Sequence, residues 1–192
     1  MPAGALAGLR VLECGDFVAA PYAAKLLAQL GADVVKVEPP AGDSNRRRGP
    51  FPGGAPDAET SGLHLYLDQG KRGVALDLDA DEGRASLRRL AANADVLIAS
   101  GPPALLERRG LTYAALNASN PQLVVTTITP FGLDAPDDRE LPMRELCDVA
   151  AGGWLSLSPG TLEDPDLPPL KMFGLSHFVV LEKTADPGIG TG

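Results

Sequence analysis

The stretch RVLECGDFVAAPYAAKLLAQLGADVVKVE (residues 10–38) decides the fold of this chain. It opens and closes with short apolar segments, Arg10–Cys14 and Asp33–Glu38, which are typical of buried strands. Between them, apolar side chains recur at helical spacing. Pro21 suits a first helical turn, and Gly31 suits a helix C-terminus. A strand, a helix and a strand in this order predict a parallel sheet with a right-handed crossover.

The same alternation continues along the chain. Further strands are predicted over residues 71–78, 95–99 and 122–129, with helices between them. Asp79 is predicted to cap the helix after the third strand, because Glu82 follows three residues later as in a capping box. The fold class expected is α/β, a Rossmann-like parallel sheet with flanking helices.

Two regions interrupt this alternation. Residues 39–70 are rich in Pro, Gly and charge, and they predict a long loop inside the domain, with a short helix or strand at Leu63–Leu67. A further helix is predicted near residues 142–158. We expect one Rossmann-like domain over residues 1–175, followed by an irregular, disordered tail over 176–192.

Composition narrows the classes of function. The chain has 192 residues and a net charge of −8, which argues against a nucleic-acid partner. No signal peptide and no membrane span of about 18 apolar residues are recognisable, so we expect a cytoplasmic protein. Cys14 and Cys147 lack metal-ligand spacing, so no metal is predicted, and buried thiols are favoured over a disulfide.

Several residues carry individual hypotheses. The turn after the first strand lacks the glycine fingerprint of dinucleotide sites, which disfavours NAD(P). Asp16 in that turn is interpreted as a helix cap, with a general acid or base as the alternative. Arg46–Arg48 are interpreted as a solvated loop face. The histidines (His64 and His177) are interpreted as structural or surface residues, and Ser156 and Ser158 lack the nucleophile-elbow pattern.

The segment VLIASGPPALLERR (residues 96–109) raises a sharper question. An apolar strand runs into a turn of small residues and prolines, and Arg108 and Arg109 follow shortly afterwards. Such a turn suits an anionic ligand at the carboxyl end of a strand. The alternative is a connector with a solvated basic face.

Four motifs, taken in order, resemble the amino-terminal part of the family III CoA-transferases of the CaiB/BaiF type. They are LAGLRVLECGDFVAAPYAAKLLAQLGADVVKVEPPAGD, GKRGVALDLDADEGRASLRRLAANADVLI, GPPALLERRGLTYAALNASNPQLVVTTITPFG, and AAGGWLSLSPG with PPLKMFG after it. The resemblance covers about residues 5–175. It implies an incomplete large domain that binds coenzyme A along the carboxyl ends of its strands.

The resemblance also implies site residues by motif position. Small residues would let the backbone approach the CoA, and arginines would pair with its phosphates. The CoA-binding residues implied are Phe17, Val18, Pro39, Ser100, Gly101, Leu105, Arg108 and Arg109.

The implied activity is CoA transfer between an acyl-CoA and a carboxylic acid, or a related acyl-CoA isomerisation. Members of the family use an aspartate nucleophile a few residues after the glycine that here is Gly174. This chain has Phe178 and Val179 at that place, so no catalytic residue is predicted.

Members of the family are also about twice as long, with a second domain and a dimeric assembly. We therefore expect a truncated chain that forms a homodimer or needs a complementing second-half chain. The alternatives are a non-catalytic CoA-binding module and a degenerate product that folds poorly.

Overall fold

The computed structural model of the protein describes residues 4–129 and 132–133. The helix predicted near 142–158 and the tail predicted over 176–192 lie outside these residues. So do Cys147, Ser156, Ser158, His177 and the Phe178/Val179 position.

Five parallel strands form one sheet in the order β3-β2-β1-β4-β5. Their bounds are β1 Arg10–Cys14, β2 Asp33–Glu38, β3 Arg72–Ala75, β4 Val96–Ser100 and β5 Val124–Ile128. The chain builds outward from β1 to β3 and then crosses to the other side of β1 for β4. The strand order thus reverses between β1 and β4, and ligands bind at such a switch point in open α/β sheets. The predicted Rossmann-like α/β class is confirmed.

Five helices connect the strands. They are α1 Ala19–Gln29, α2 Gly62–Leu67, α3 Asp81–Ala91, α4 Pro103–Arg108 and α5 Tyr113–Leu116. Helix α1 ends where Gly31 takes a positive φ of 101°, a conformation that costs glycine little. The sequence prediction of a glycine terminator is confirmed here.

The two faces of the sheet bury alternate residues of the same strands. On one face, Leu12 and Leu97 pack with Leu87 of α3. On the other face, Val11 of β1 packs with Ala20 of α1. Each leucine side chain fully removed from water contributes about 1.5–3 kcal/mol. The connecting helices of this parallel sheet cover both faces of its central strands, as βαβ crossovers do.

The region predicted as a long loop, residues 39–70, is more ordered than expected. It contains two 3₁₀ turns, Ser44–Arg47 and Pro52–Gly54, and helix α2. The third strand is shorter than the predicted 71–78. The backbone leaves the sheet after Ala75, and Leu78 is buried in the core instead.

Candidate functional site

A cavity of about 260 Å³ opens at the carboxyl ends of the strands, at the switch point. We call it the strand-end cavity. The turn after β1 contributes Gly15 and Asp16, and β2 contributes Glu38 at its end. Ser100 ends β4, and Arg109 follows α4. The topology therefore brings three strand ends together around one opening.

Four of the eight residues predicted for CoA line this cavity: Pro39, Ser100, Leu105 and Arg109. The other four are not among its lining residues, although they lie in the same segments: Phe17, Val18, Gly101 and Arg108. That these eight residues bind CoA stays a prediction.

Gly15 lets the end of β1 lie close to Ala20 of α1 and to the side chain of Ser100. A Cβ added there would lie 2.3 Å from the Cβ of Ala20 and 2.7 Å from the Oγ of Ser100. Both distances are below van der Waals contact, so a side chain would force α1 away from the end of β4. The backbone at Gly15 is therefore free to line the cavity.

Arg109 meets a carboxylate in the cavity wall. Its Nε and Nη2 lie 3.2 and 2.8 Å from the two oxygens of Asp79, and the Nε of Arg108 lies 3.6 Å from Oδ1. The hydrogen bond from Arg109 holds the pKa of Asp79 below its usual range. The predicted helix cap at Asp79 is wrong, because Ala80 is the N-cap residue of α3 and makes no side-chain cap.

The Arg46–Arg48 segment is not simply a solvated loop face. Arg46 forms a bidentate ion pair with Glu38. Its Nε lies 2.6 Å from Oε2, and its Nη2 lies 2.9 Å from Oε1. Arg47 lines the strand-end cavity, and the guanidinium of Arg48 lies 4.3 Å from the ring centroid of Phe17. The solvated-face interpretation is therefore wrong at Arg46.

A group of buried charges lies beside the cavity, between β1, β2 and the segment leading to β3. We call Glu13, Lys36, Asp43, Asp68 and Lys71 the buried ionic cluster. Lys36 lies 3.2 Å from Glu13, 2.5 Å from Asp43 and 3.2 Å from Asp68. Lys71 lies 2.7 Å from Glu13 and 2.9 Å from Asp68. Glu13 and Lys36 are 0% and 1% exposed, so the cluster is part of the core.

The cluster perturbs the titration of its members. Burial alone would lower the pKa of Lys36, but Glu13, Asp43 and Asp68 outweigh it and raise that pKa. Burial raises the pKa of Glu13, against the opposing effect of the two lysines. This cluster was not predicted from the sequence. The available signal was a charged residue inside each of two apolar strands, Glu13 in RVLEC and Lys36 in DVVKVE.

Asp16 does not cap α1, so that interpretation is wrong. The N-cap residue is Val18, and the Oδ1 of Asp16 instead accepts a hydrogen bond from the Ser44 backbone N–H at 2.8 Å. Burial alone would raise the pKa of Asp16, but hydrogen bonds from Asp43 and Ser44 lower it. Burial, and then the hydrogen bond with Asp16, raises the pKa of Asp43 to about 7. Asp16 is thus ionised at neutral pH, whereas Asp43 takes up a proton as the pH falls through about 7.

His64 and Cys14 have structural surroundings. The Nδ1 of His64 lies 2.8 Å from the Oδ2 of Asp68, beside the buried ionic cluster. Cys14 is buried with a free thiol, and burial raises its pKa, so it is not an activated nucleophile. Both observations agree with the sequence interpretation of these residues.

Two kinds of feature are absent from the described residues. Within residues 4–129 and 132–133, no three His, Cys, Asp or Glu side chains are grouped so as to hold a metal ion. None of the helices in this part of the chain has the length and apolar character needed to cross a membrane.

The chain matches known proteins over most of its length. The sequence model of CoA-transferase family III matches residues 6–179. A protein of Thauera aromatica named "Succinyl-CoA:(R)-benzylsuccinate CoA-transferase subunit BbsE" is 47% identical over 138 residues, which are 72% of this chain and 33% of that protein. The succinyl-CoA:mesaconate CoA-transferase of Haloarcula hispanica is 34% identical over 172 residues, which are 88% of this chain and 42% of the enzyme.

A solved structure has the same fold. The crystal structure of a CaiB/BaiF family protein from Brucella suis superposes with a TM-score of 0.74 and 35% sequence identity. The superposition covers 91% of this chain and 44% of that one. This chain therefore spans less than half the length of these similar proteins.

Proposed function

The chain belongs to CoA-transferase family III, and from this premise we propose that it binds coenzyme A in the strand-end cavity and takes part in moving CoA between an acyl-CoA and a carboxylic acid. In such a transfer one thioester is broken and another is formed, and no water is consumed. The observation that carries the proposal is the meeting of three strand ends and Arg109 around one cavity.

The charges that line the cavity suit a site in which a phosphate replaces a carboxylate as the partner of an arginine. Asp16, Glu38, Asp77 and Asp79 line it, and these carboxylates would repel a phosphate. Glu38 is neutralised by Arg46. Asp79 occupies the guanidinium fork of Arg109, and a phosphate has the oxygen geometry to take that place.

The exposure of this ion pair favours such an exchange. The side chains of Arg109 and Asp79 are 30% and 50% exposed, so solvent screens their attraction and their net contribution to stability is small. We propose that Arg108 and Arg109 leave Asp79 and pair with the phosphates of CoA. The released Asp79 carboxylate then turns to solvent.

Neither Cys14 nor Asp16, the nucleophilic side chains at the end of β1, is free to carry out the chemical step. Cys14 is buried with a raised pKa, and Asp16 is held by Ser44 and Asp43. A second candidate function is therefore a CoA-binding subunit whose partner chain completes the site. The similarity to a protein named as a subunit favours this candidate.

Hydrogen exchange with and without CoA tests the proposed binding site. We expect CoA to slow exchange in the segments that line the cavity, residues 14–18, 37–47 and 100–109. Exchange in α3 beyond its first turn should stay unchanged. Protection confined to the second, more open cavity, which residues 64–73 line in part, or no protection at all, would contradict the proposal.

A further inference from the structure

We propose that Asn45 is a positioning residue that holds the β1–α1 turn in the left-handed conformation on which ligand binding in the strand-end cavity depends. The inference rests on the proposed CoA site. It adds a residue that acts on the ligand only through the turn.

The turn contains a strained residue. Phe17 has a φ of 65°, and it is the one residue other than glycine with a positive φ in the described part of the chain. For a residue with a Cβ, the cost of this conformation is enough to shift a local equilibrium about tenfold. Such a conformation persists only where its surroundings hold it.

Asn45 supplies the most buried of the contacts that hold the turn. Its side-chain Nδ2 donates a hydrogen bond to the carbonyl oxygen of Phe17, and Asn45 is 0% exposed. A carbonyl oxygen can only accept, which settles that the amide presents its NH₂ group. Two contacts from the same loop assist: the Ser44 N–H donates to Asp16, and Arg48 stacks over the Phe17 ring.

The loop that carries Asn45 is itself anchored. The Oδ1 of Asp43 accepts from the backbone N–H of Asn45 at 2.9 Å, and Lys36 of the buried ionic cluster holds the other oxygen of Asp43. The hydroxyl of Ser61 lies 2.6 Å from the Asn45 carbonyl oxygen. These hydrogen bonds fix the backbone of Asn45, from which its side chain reaches the turn.

The β1–α1 turn also shapes the strand-end cavity. Gly15 and Asp16 line it directly, and α1 begins two residues after Phe17. Without the Asn45 hydrogen bond, Phe17 can relax to a negative φ and move these residues. The apparent dissociation constant for CoA then equals the intrinsic constant divided by the fraction of molecules in which Phe17 keeps the left-handed conformation.

A double-mutant cycle with CoA titration tests this role. Asn45→Ala should weaken CoA binding about tenfold in the wild-type background. In a Phe17→Gly background the same change should cost less than twofold, because glycine adopts the left-handed conformation without strain. Equal losses in the two backgrounds would overturn the proposal, as would wild-type affinity in Asn45→Ala.

A matched control separates positioning from folding. The Nδ2 of Asn120 donates to the carbonyl oxygens of Ala91 and Ala94, away from the cavity. Asn120→Ala should lower the melting temperature and leave CoA affinity unchanged. If Asn45→Ala does not fold, Asn45→Leu, which keeps the volume and loses the donor without burying a charge, replaces it in the cycle.

A second measurement keeps the positioning claim separate from the CoA claim. Failure of the wild-type chain to bind CoA would defeat the proposed function. Hydrogen exchange of residues 15–20 would then decide the role of Asn45. Faster exchange in Asn45→Ala than in Asn120→Ala supports it, and equal exchange refutes it.

Discussion

Arg46 and Arg109 each bind a carboxylate that lines the strand-end cavity, yet the two ion pairs differ in burial. Arg46 and Glu38 have side chains that are 19% and 9% exposed, whereas Arg109 and Asp79 are 30% and 50% exposed. A buried pair is costly to break, because one charge is then left without water or partner. An exposed pair contributes roughly 0–1 kcal/mol and can exchange partners. Arg46 therefore stabilises the fold, whereas Arg109 is available to pair with a ligand.

Lys36, like Arg46, belongs to buried ion pairs. Its removal should have the largest effect on the free energy of unfolding. Lys36→Met removes the ammonium group that pairs with the buried side chains of Glu13, Asp43 and Asp68. We expect a loss of about 3–5 kcal/mol in the free energy of unfolding, measured by urea denaturation. Arg72→Met, which breaks an exposed pair with Asp33 on a neighbouring strand, is the control and should cost less than about 1 kcal/mol. Similar losses for the two variants would show that the cluster is not a structural core.

A pH-dependent effect of intermediate size should come from Asp43. Its pKa is about 7 in the folded chain, raised by burial and then by Asp16, against an ordinary value of 3.8. The folded state therefore binds the extra proton, and this stabilisation is complete below about pH 4 and lost as pH rises through about 7. The free energy of unfolding of Asp43→Asn should fall less steeply with pH than that of the wild type, by up to about 1.4 kcal/mol per pH unit between pH 5 and 7. Parallel pH curves from urea denaturation would contradict the assignment.

The strand framework could be predicted because it depends on local pattern. The bounds of β1 and β2 match the prediction, since each is a short apolar run flanked by turn residues. The segments around the cavity were implied by the family resemblance, which places CoA along the carboxyl ends of the strands. The same resemblance pointed to Arg109 at those ends.

The buried ionic cluster could not be predicted in the same way. Lys36 and Glu13 are 23 residues apart, and Lys71 and Glu13 are 58 apart, so their pairing depends on the sheet register. Asp79 looked like a helix cap because a capping box is a local pattern. A tertiary partner, Arg109, 30 residues away, takes its side chain instead. The order around residues 43–48 likewise depends on tertiary contacts with Glu38 and Phe17.

The smallest effect on stability should come from Arg109. Arg109→Ala breaks only the exposed pair with Asp79, so the free energy of unfolding should change by less than about 1 kcal/mol. Urea denaturation measures this. A larger loss would place Arg109 with Arg46 among the structural arginines and end the contrast between the two walls.

The most direct test of the central claim is titration calorimetry of CoA into the wild-type chain and Arg109→Ala. Arg88→Ala, which removes the same charge from an exposed position on α3, is the control. The account predicts that CoA binds the wild type and the control alike and binds Arg109→Ala at least tenfold more weakly. Equal affinity in all three, or no binding by the folded wild-type chain, would contradict it.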